Sequence, residues 1–480
     1  RRARAVSQHS SVRKRTNFVL NTDQQAALEL LKQPETTTAL LHGVTGSGKT
    51  RVYIELARAT LASGKSVIIL VPEIALTSQV VDEFQAEFGE VIVTHSRQTE
   101  AERHLAWREA LTARQPRIII GPRSALFMPV SHLGLVVIDE SHEPSYKQEQ
   151  SPRYSAILAA QKLTTVAGAK LLLGSATPSV SDFYLMQATG HPVITLPNVA
   201  QSAARAPKVQ VIDMTKRTNF TKHRFLSDAL LARVQTTLDA GKQVLIFHNR
   251  RGSASTTLCE NCGWQAGCPR CYVPLTLHID QHKLICHICN TSMRIPTSCP
   301  ECGAADIIHK GIGTKLIETE IRRLFPNKKI ARFDGDTADN EAVNERYREL
   351  YDGTIDIIIG TQVIAKGLDL PHLRTVAIVQ ADAGLSLPDF AAPERTFQLL
   401  AQVIGRVGRS EHETTVIVQS YQPNHPAVKD GTTQNYSEFY ERTLALRRHT
   451  HFPPFVYLLK LTCTYNTEAT AIKNARQLAM

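Results

Sequence analysis

The sequence predicts an α/β chain of two parallel-sheet lobes, with a cysteine-rich insertion in the second lobe and the start of an α+β domain at its end. Short apolar runs alternate with longer helical patterns over two separate stretches, which is the signature of parallel strands covered by helices. Eight of the nine cysteines fall between Cys259 and Cys302, inside the second stretch. A glycine-rich loop follows the first apolar run, and two adjacent acids end a later one.

The 480 residues allow about three domains. In the first lobe, 20–200, strands are expected at 38–42, 66–71, 91–94, 117–121, 134–139 and 170–174. A polar stretch at 201–207 leads into the second lobe, 201–258 and 303–425, with strands at 243–247, 330–333, 355–360, 375–379 and 415–419. The insertion occupies 259–302. Residues 426–480 read as a helical connector, then a strand-like 458–464 that opens a further domain. The opening 1–19, with Arg1, Arg2, Arg4, Arg13, Lys14 and Arg15, reads as a flexible basic linker from something upstream. No apolar run is long enough to span a bilayer and no signal peptide opens the chain, so a cytoplasmic protein without a membrane partner is expected. The formal charge of +11 fits a polyanion partner without proving one.

Gly43, Val44, Thr45, Gly46, Ser47, Gly48, Lys49 and Thr50 follow the 38–42 strand and precede a helical pattern. Glycines in that context let backbone N–H groups close round phosphate oxygens at a helix N-terminus. Lys49 is placed to reach the outer phosphates and Thr50 to ligate magnesium. Asp139 and Glu140 end a buried strand, where paired acids are costly unless they face a cation. Asp139 is assigned to magnesium and Glu140 to activating water. His142, close behind, is either structural or a link between lobes. Gln402, Arg406 and Arg409, with Gly405 and Gly408 among them, suit recognition of the γ-phosphate from across an interface.

Together these residues resemble helicase superfamily two, the group with two RecA-like lobes and a D-E-x-H box, here Asp139-Glu140-Ser141-His142. The resemblance implies adenine reading by Gln24 and backbone contacts by Pro72, Thr77 and Arg123. It implies coupling through Ser175 and Thr177, and contacts to strand and nucleotide by Thr361, Gln362, Lys366 and Gly367. Within the superfamily the chain resembles the PriA family of primosomal replication-restart helicases. Gly43–Thr50, Ser145-Tyr146-Lys147-Gln148, the eight-cysteine insertion with Trp264, and Gly360–Gly367 carry that likeness. It implies a monomeric ATP-driven helicase moving 3′ to 5′ on forked and single-stranded DNA, with other primosome proteins and single-strand-binding protein as partners. It also implies a fork-binding part and a winged helix before Arg1, and a C-terminal domain opening near Tyr457. The family usually has glutamate at Ser141, arginine at Ala391 and alanine at Val407. A loading platform, or a translocase that does not separate strands, stays open on these motifs. Tyr146, Lys147 and Tyr154 interleave aromatics with a cation beside the acids, a pattern that suits nucleic acid or a plain surface loop.

The cysteines form four Cys-x-x-Cys pairs separated by five, fourteen and nine residues. Four such knuckles fit two all-thiolate zinc sites better than a disulfide framework. A ribbon joins two knuckles by a hairpin, and the fourteen-residue spacer suits one. That favours an inner site of Cys268, Cys271, Cys286 and Cys289, with Cys259, Cys262, Cys299 and Cys302 as the outer one, the nested order the resemblance also implies. The cofactors expected are therefore two Zn2+ per chain and ATP with Mg2+. Trp264 either packs over a metal site or stacks on a base. His278, His282 and His287 are spare ligands, and Cys463 lies apart.

Overall fold

The structure is a computed structural model describing residues 19–72, 79–96, 98–200, 205–248, 257–278, 281–309, 312–333, 347–361, 370–407, 412–459, 461 and 464–478. Most of the expected linker, and Cys463, lie outside these residues.

The first lobe is built on a seven-stranded, wholly parallel sheet. Its order is Ile92–Val93, Ile118–Gly121, Ser66–Leu70, Leu133–Ile138, Lys170–Ser175, Thr38–Gly43 and Val193–Leu196. The central strands are buried along their whole length because helices cover both faces, which explains their continuous aliphatic sequences. The second lobe has six parallel strands in the order Lys208–Asp213, Thr415–Ser420, Leu373–Ile378, Gln243–Phe247, Ile357–Gly360 and Ile330–Phe333. Every strand expected from the sequence in both lobes is present, and two more join them. Both additions, Val193–Leu196 and Lys208–Asp213, are edge strands. The latter is mostly exposed, so it lacks the apolar run that marks a buried strand.

Beyond the second lobe, helices Pro426–Thr433 and Tyr436–His449 form the expected connector. The strand expected at 458–464 does not form at Leu458, Leu459, Leu461 or Thr464, and its other residues lie outside those described. Leu459 is exposed and pairs with no strand among the described residues.

Helix Ala392–Val407, hereafter the interlobe helix, packs in the second lobe's core and faces the first lobe. Opposite it, the docking helix Val180–Ala188 leaves the first lobe and places Val180 inside the second lobe's core cluster. Phe183 of the docking helix packs against His42, Tyr436 and Tyr440, binding both lobes and the connector into one aromatic cluster. Val407 is buried in the second lobe's core.

Candidate active site and metal centres

Strand Thr38–Gly43 delivers the glycine-rich loop to the N-terminus of helix Lys49–Ala62. Gly46 and Gly48 have φ of 83° and 79°, conformations that favour glycine and turn the loop back on itself. Gly48 caps the helix without a side-chain acceptor, so the helix N-terminus presents its N–H groups to the loop. The buried Ser47 hydroxyl has no partner among the described residues. An orphaned donor beside a bare helix N-terminus fits a phosphate group. Lys49 is buried, and its Nζ donates to Gly43 O at 3.0 Å.

Gln24 lies directly against this loop. Its Nε2 donates to Ser47 O at 2.9 Å and its Oε1 accepts from Asn21 N, so the amide braces the loop while completing a helix cap. A β-carbon at position 48 would meet Gln24 Nε2 at 2.3 Å, a second reason for glycine there.

Strand Leu133–Ile138 carries Asp139 to the same end of the sheet. Tyr53 OH donates to Asp139 Oδ1 at 3.0 Å. Burial, then the adjacent charge of Glu140, push the Asp139 carboxyl up to about 7, with Lys49 opposing. A buried acid held this far from its usual range fits a site built for a divalent cation. Glu140 has φ 46°, an uncommon setting for a side-chain-bearing residue, which turns the chain at the strand end.

His142 joins three motifs. Its Nδ1 lies 2.7 Å from Ser175 Oγ, and the Gln402 amide nitrogen lies 2.6 Å from its Nε2. Ser175 Oγ also accepts from Thr177 N at 3.0 Å. His142 is thus the link between lobes that its position in the box left open.

Two further contacts extend this link along the interlobe helix, and the motifs did not flag either residue. Gln398 Nε2 donates to Thr177 O at 3.1 Å, and Glu394 Oε1 accepts from Val180 N at 2.8 Å. Glu394, Gln398 and Gln402 are four residues apart, so they share one helix face. Three polar residues at that spacing on an apolar helix were the available signal. One turn on, a β-carbon at Gly405 would meet Thr45 of the phosphate loop at 2.7 Å. The helix touches the loop backbone to side chain. Arg406 sits on its last turn, its side chain outside the description, and Arg409 lies outside the described residues.

The remaining expected residues divide. Pro72, Ser175, Thr177 and Thr361 are buried at or just beyond strand ends. Arg123 donates to Ser145 O. Lys147 is exposed and Tyr154 half-buried on a small hairpin, with the Tyr154 ring 5.4 Å from Phe127. Tyr146 corrects the sequence reading. It is 3% exposed, its ring lies in the first lobe's core, and its hydroxyl donates to Asp139 O and Leu70 O. It steadies the strand end that carries Asp139, and its buried ring offers no face for a base to stack on. Thr77, Gln362, Lys366 and Gly367 lie outside the described residues.

The cysteines form two quartets, Cys259/Cys262/Cys299/Cys302 and Cys268/Cys271/Cys286/Cys289, each with all four sulfurs within 4.8 Å. These are the outer and inner sets expected from the spacing. Sulfur pairs lie 3.6–3.7 Å apart, against about 3.8 Å for the edge of a tetrahedron with ~2.3 Å zinc–sulfur bonds. All four knuckles share one geometry. The carbonyl of the first cysteine accepts, each time at 2.9 Å, from the residue after the second, namely Gly263, Tyr272, Asn290 and Gly303. Each of those four residues has positive φ. Hydrogen bonds from Thr291 and Asn261 hold Cys289 and Cys302 down to about 6, whereas burial pushes the thiols of Cys259, Cys262, Cys271 and Cys286 up, so the quartets rest on their geometry and each holds one thiol that readily gives up its proton. The hairpin Thr276–His278/Lys283–Ile285 fills the long spacer. His278 and His287 contact each other at 2.9 Å, and neither is part of a quartet. Trp264 packs against the inner ribbon's core.

Comparison with known proteins agrees with this architecture. The DEAD/DEAH box helicase domain matches residues 21–184 and the helicase conserved C-terminal domain matches 307–411. The PriA DNA helicase Cys-rich region domain matches 268–294. The replication restart protein PriA of Treponema pallidum is 40% identical over 98% of this chain and 71% of its own length. The chain belongs to the PriA family. PriA of Bacillus subtilis is 37% identical over 97% of the chain, and PriA of Chlamydia pneumoniae 39% over 92%. The chain spans 58% and 60% of those two PriA proteins. Among solved structures, RecG bound to a three-way DNA junction superposes with TM-score 0.53 at 16% identity, over 97% of this chain and 51% of that one. The DNA-bound helicase MrfA gives 0.51 at 16% identity, over 88% and 48%. At that identity the likeness is one of fold, two RecA-like lobes. No helix among the described residues is long and apolar enough to cross a membrane.

Proposed function

We propose that the chain is the motor of an ATP-driven DNA helicase that moves 3′ to 5′, recognises stalled or abandoned replication forks, remodels the lagging-strand arm and begins primosome assembly. The observation that carries this is the interlobe helix, whose Gln402, Gln398 and Gly405 meet His142, Thr177 and Thr45 of the other lobe. Hydrolysis that loosens those contacts would let the lobes step along a strand. The curated PriA relatives, each named a replication restart protein, supply the fork context.

Lys49 and the loop N–H groups of 43–48 bind the phosphates, and Gln24 holds the loop in shape. Thr50 and Asp139 would hold magnesium, which neutralises phosphate charge when bound. Glu140 takes the proton from the attacking water. Arg406 and Arg409 are proposed to meet the γ-phosphate from the second lobe, and Gln24 to read adenine. Pro72, Thr77, Arg123, Lys147, Tyr154, Thr361, Gln362 and Lys366 are proposed to line the DNA path. Each cysteine quartet is proposed to hold one structural zinc, two per chain. Forked and single-stranded DNA, other primosome proteins and single-strand-binding protein are the proposed partners of a cytoplasmic monomer.

The deciding experiment is ATP hydrolysis with and without forked oligonucleotides, single strands and RNA. Lys49→Ala and Glu140→Gln are expected to abolish DNA-stimulated turnover. Undiminished turnover in either variant would overturn the site, and stimulation by RNA alone would overturn the substrate.

A further inference from the structure

The inner cysteine ribbon is joined to the interlobe helix through a short line of contacts. Phe452, at the end of the connector, is buried in the ribbon's core with Cys268, Cys286 and Leu284. Its ring stacks on Phe390 with centroids 5.1 Å apart and planes 10° from parallel. The Arg447 guanidinium carbon lies 5.0 Å from the Phe390 centroid. Arg447 donates in turn to Glu394 Oε2, and both residues are buried. The other oxygen of that carboxylate accepts from Val180 N, the first residue of the docking helix. Val180 follows the Ser175–Thr177 segment that bonds His142 and Gln398.

We propose that Glu394 and Arg447 are positioning residues that carry the seating of the cysteine module into the nucleotide site. The N-terminus of the docking helix favours a carboxylate, but a buried one that loses its cationic partner is left strongly destabilised. Arg447 is that partner, and its position is set by the Phe390–Phe452 stack on the ribbon. A displacement of the ribbon therefore withdraws the guanidinium from Glu394 and loosens the docking helix. The closure of the lobes that DNA stimulates then becomes less favourable. Glu394, Gln398 and Gln402 stand on one helix face, so the change at the first is transmitted to the groups that the other two hold.

This rests on the motor reading above, and its test separates the two. In the full protein, basal and fork-stimulated ATP turnover, KM for ATP and zinc content are measured for Glu394→Gln, Phe452→Leu and the double variant. Each single change is expected to lower fork-stimulated kcat about 10-fold, with basal turnover, KM and zinc content within about twofold. The double variant is expected to be no worse than the worse single, because both break one line. Arg447→Lys is expected to retain more stimulation than Arg447→Met. Losses that multiply in the double variant, or full stimulation in Glu394→Gln, overturn the proposal. If Glu394→Gln does not fold, Phe390→Leu leaves the buried pair intact and is expected to show the same selective loss; unchanged stimulation there overturns it. If the unaltered protein shows no stimulation by DNA, the motor reading fails instead.

Discussion

The Gln402 amide and the His142 imidazole meet at 2.6 Å across the two lobes, and the same ring reaches Ser175 on its far side. The amide N–H donates to Nε2, so Nδ1 carries the proton and donates to Ser175. One imidazole therefore couples the acidic box, the segment after strand Lys170–Ser175, and the second lobe.

Gln402→Leu keeps the bulk and removes the donor, leaving a buried ring nitrogen unpaired. That costs about 1–3 kcal/mol in the closed state. DNA-stimulated ATP turnover is expected to fall about 10–100-fold, with nucleotide affinity of the variant little changed. Equal losses in kcat and in nucleotide affinity would mean that His142 shapes the pocket rather than linking the lobes.

Gly405 offers a steric test of the same closure. Its missing β-carbon would stand 2.7 Å from both Cβ and Oγ1 of Thr45, so Gly405→Ala must push the interlobe helix off the phosphate loop. Turnover at saturating ATP is expected to fall about 10-fold or more while thermal stability changes little. Adding Thr45→Gly removes the opposing atoms and is expected to recover part of the loss. A double variant no better than Gly405→Ala would place the obstruction elsewhere.

Most of this arrangement was legible in the chain because it is written in local patterns. Gly43–Thr50 and Asp139–Glu140 each carry their chemistry within a few residues, and the knuckle spacing gave both cysteine quartets. Contacts between distant segments were not legible. Tyr146 is an aromatic beside a lysine in sequence, and only the fold shows its hydroxyl turned inward onto Asp139 O. Glu394 likewise reads as a solvated helical acid until Arg447, contributed by the connector, is seen to bury it. Edge strand Lys208–Asp213 was missed for a related reason, since four of its six residues are exposed and no apolar run marks it.

The two cysteine quartets are separate centres and are expected to be lost separately. Native mass spectrometry should find two zinc ions in the unaltered chain, and one in either Cys262→Ser or Cys271→Ser. Each structural zinc contributes on the order of 10–16 kcal/mol of apparent folding energy to its own module. Cys271→Ser should therefore also loosen the inner ribbon against which the Trp264 ring packs. Loss of both ions from either single change would show one shared centre.

His42 predicts how acid acts on the lobe interface. It lies beneath the phosphate loop with Phe183 and Tyr436 against its ring. Burial pulls its pKa down to about 4 from 6.5; a hydrogen bond with the Ala176 backbone opposes this, and the Lys49 charge adds to it. In the unfolded chain the ring takes a proton at higher pH than in the folded one. Its contribution to stability is therefore complete above about 6.5 and is lost as pH falls towards about 4, by about 3 kcal/mol in total. Asp139 and Asp182 act in the opposite sense. Burial first pushes their carboxyls up to about 7 and about 6, so their ionisation weakens the folded state as pH rises. The bare pH profile mixes these effects, and the difference between His42→Phe and the unaltered chain isolates the first. That variant keeps an aromatic ring between Phe183 and Tyr436 but cannot take up a proton. Its melting temperature relative to the unaltered chain is expected to rise between about pH 7 and about pH 5. A difference that stays constant across that range would mean that His42 takes up its proton at the same pH in the folded and the unfolded chain.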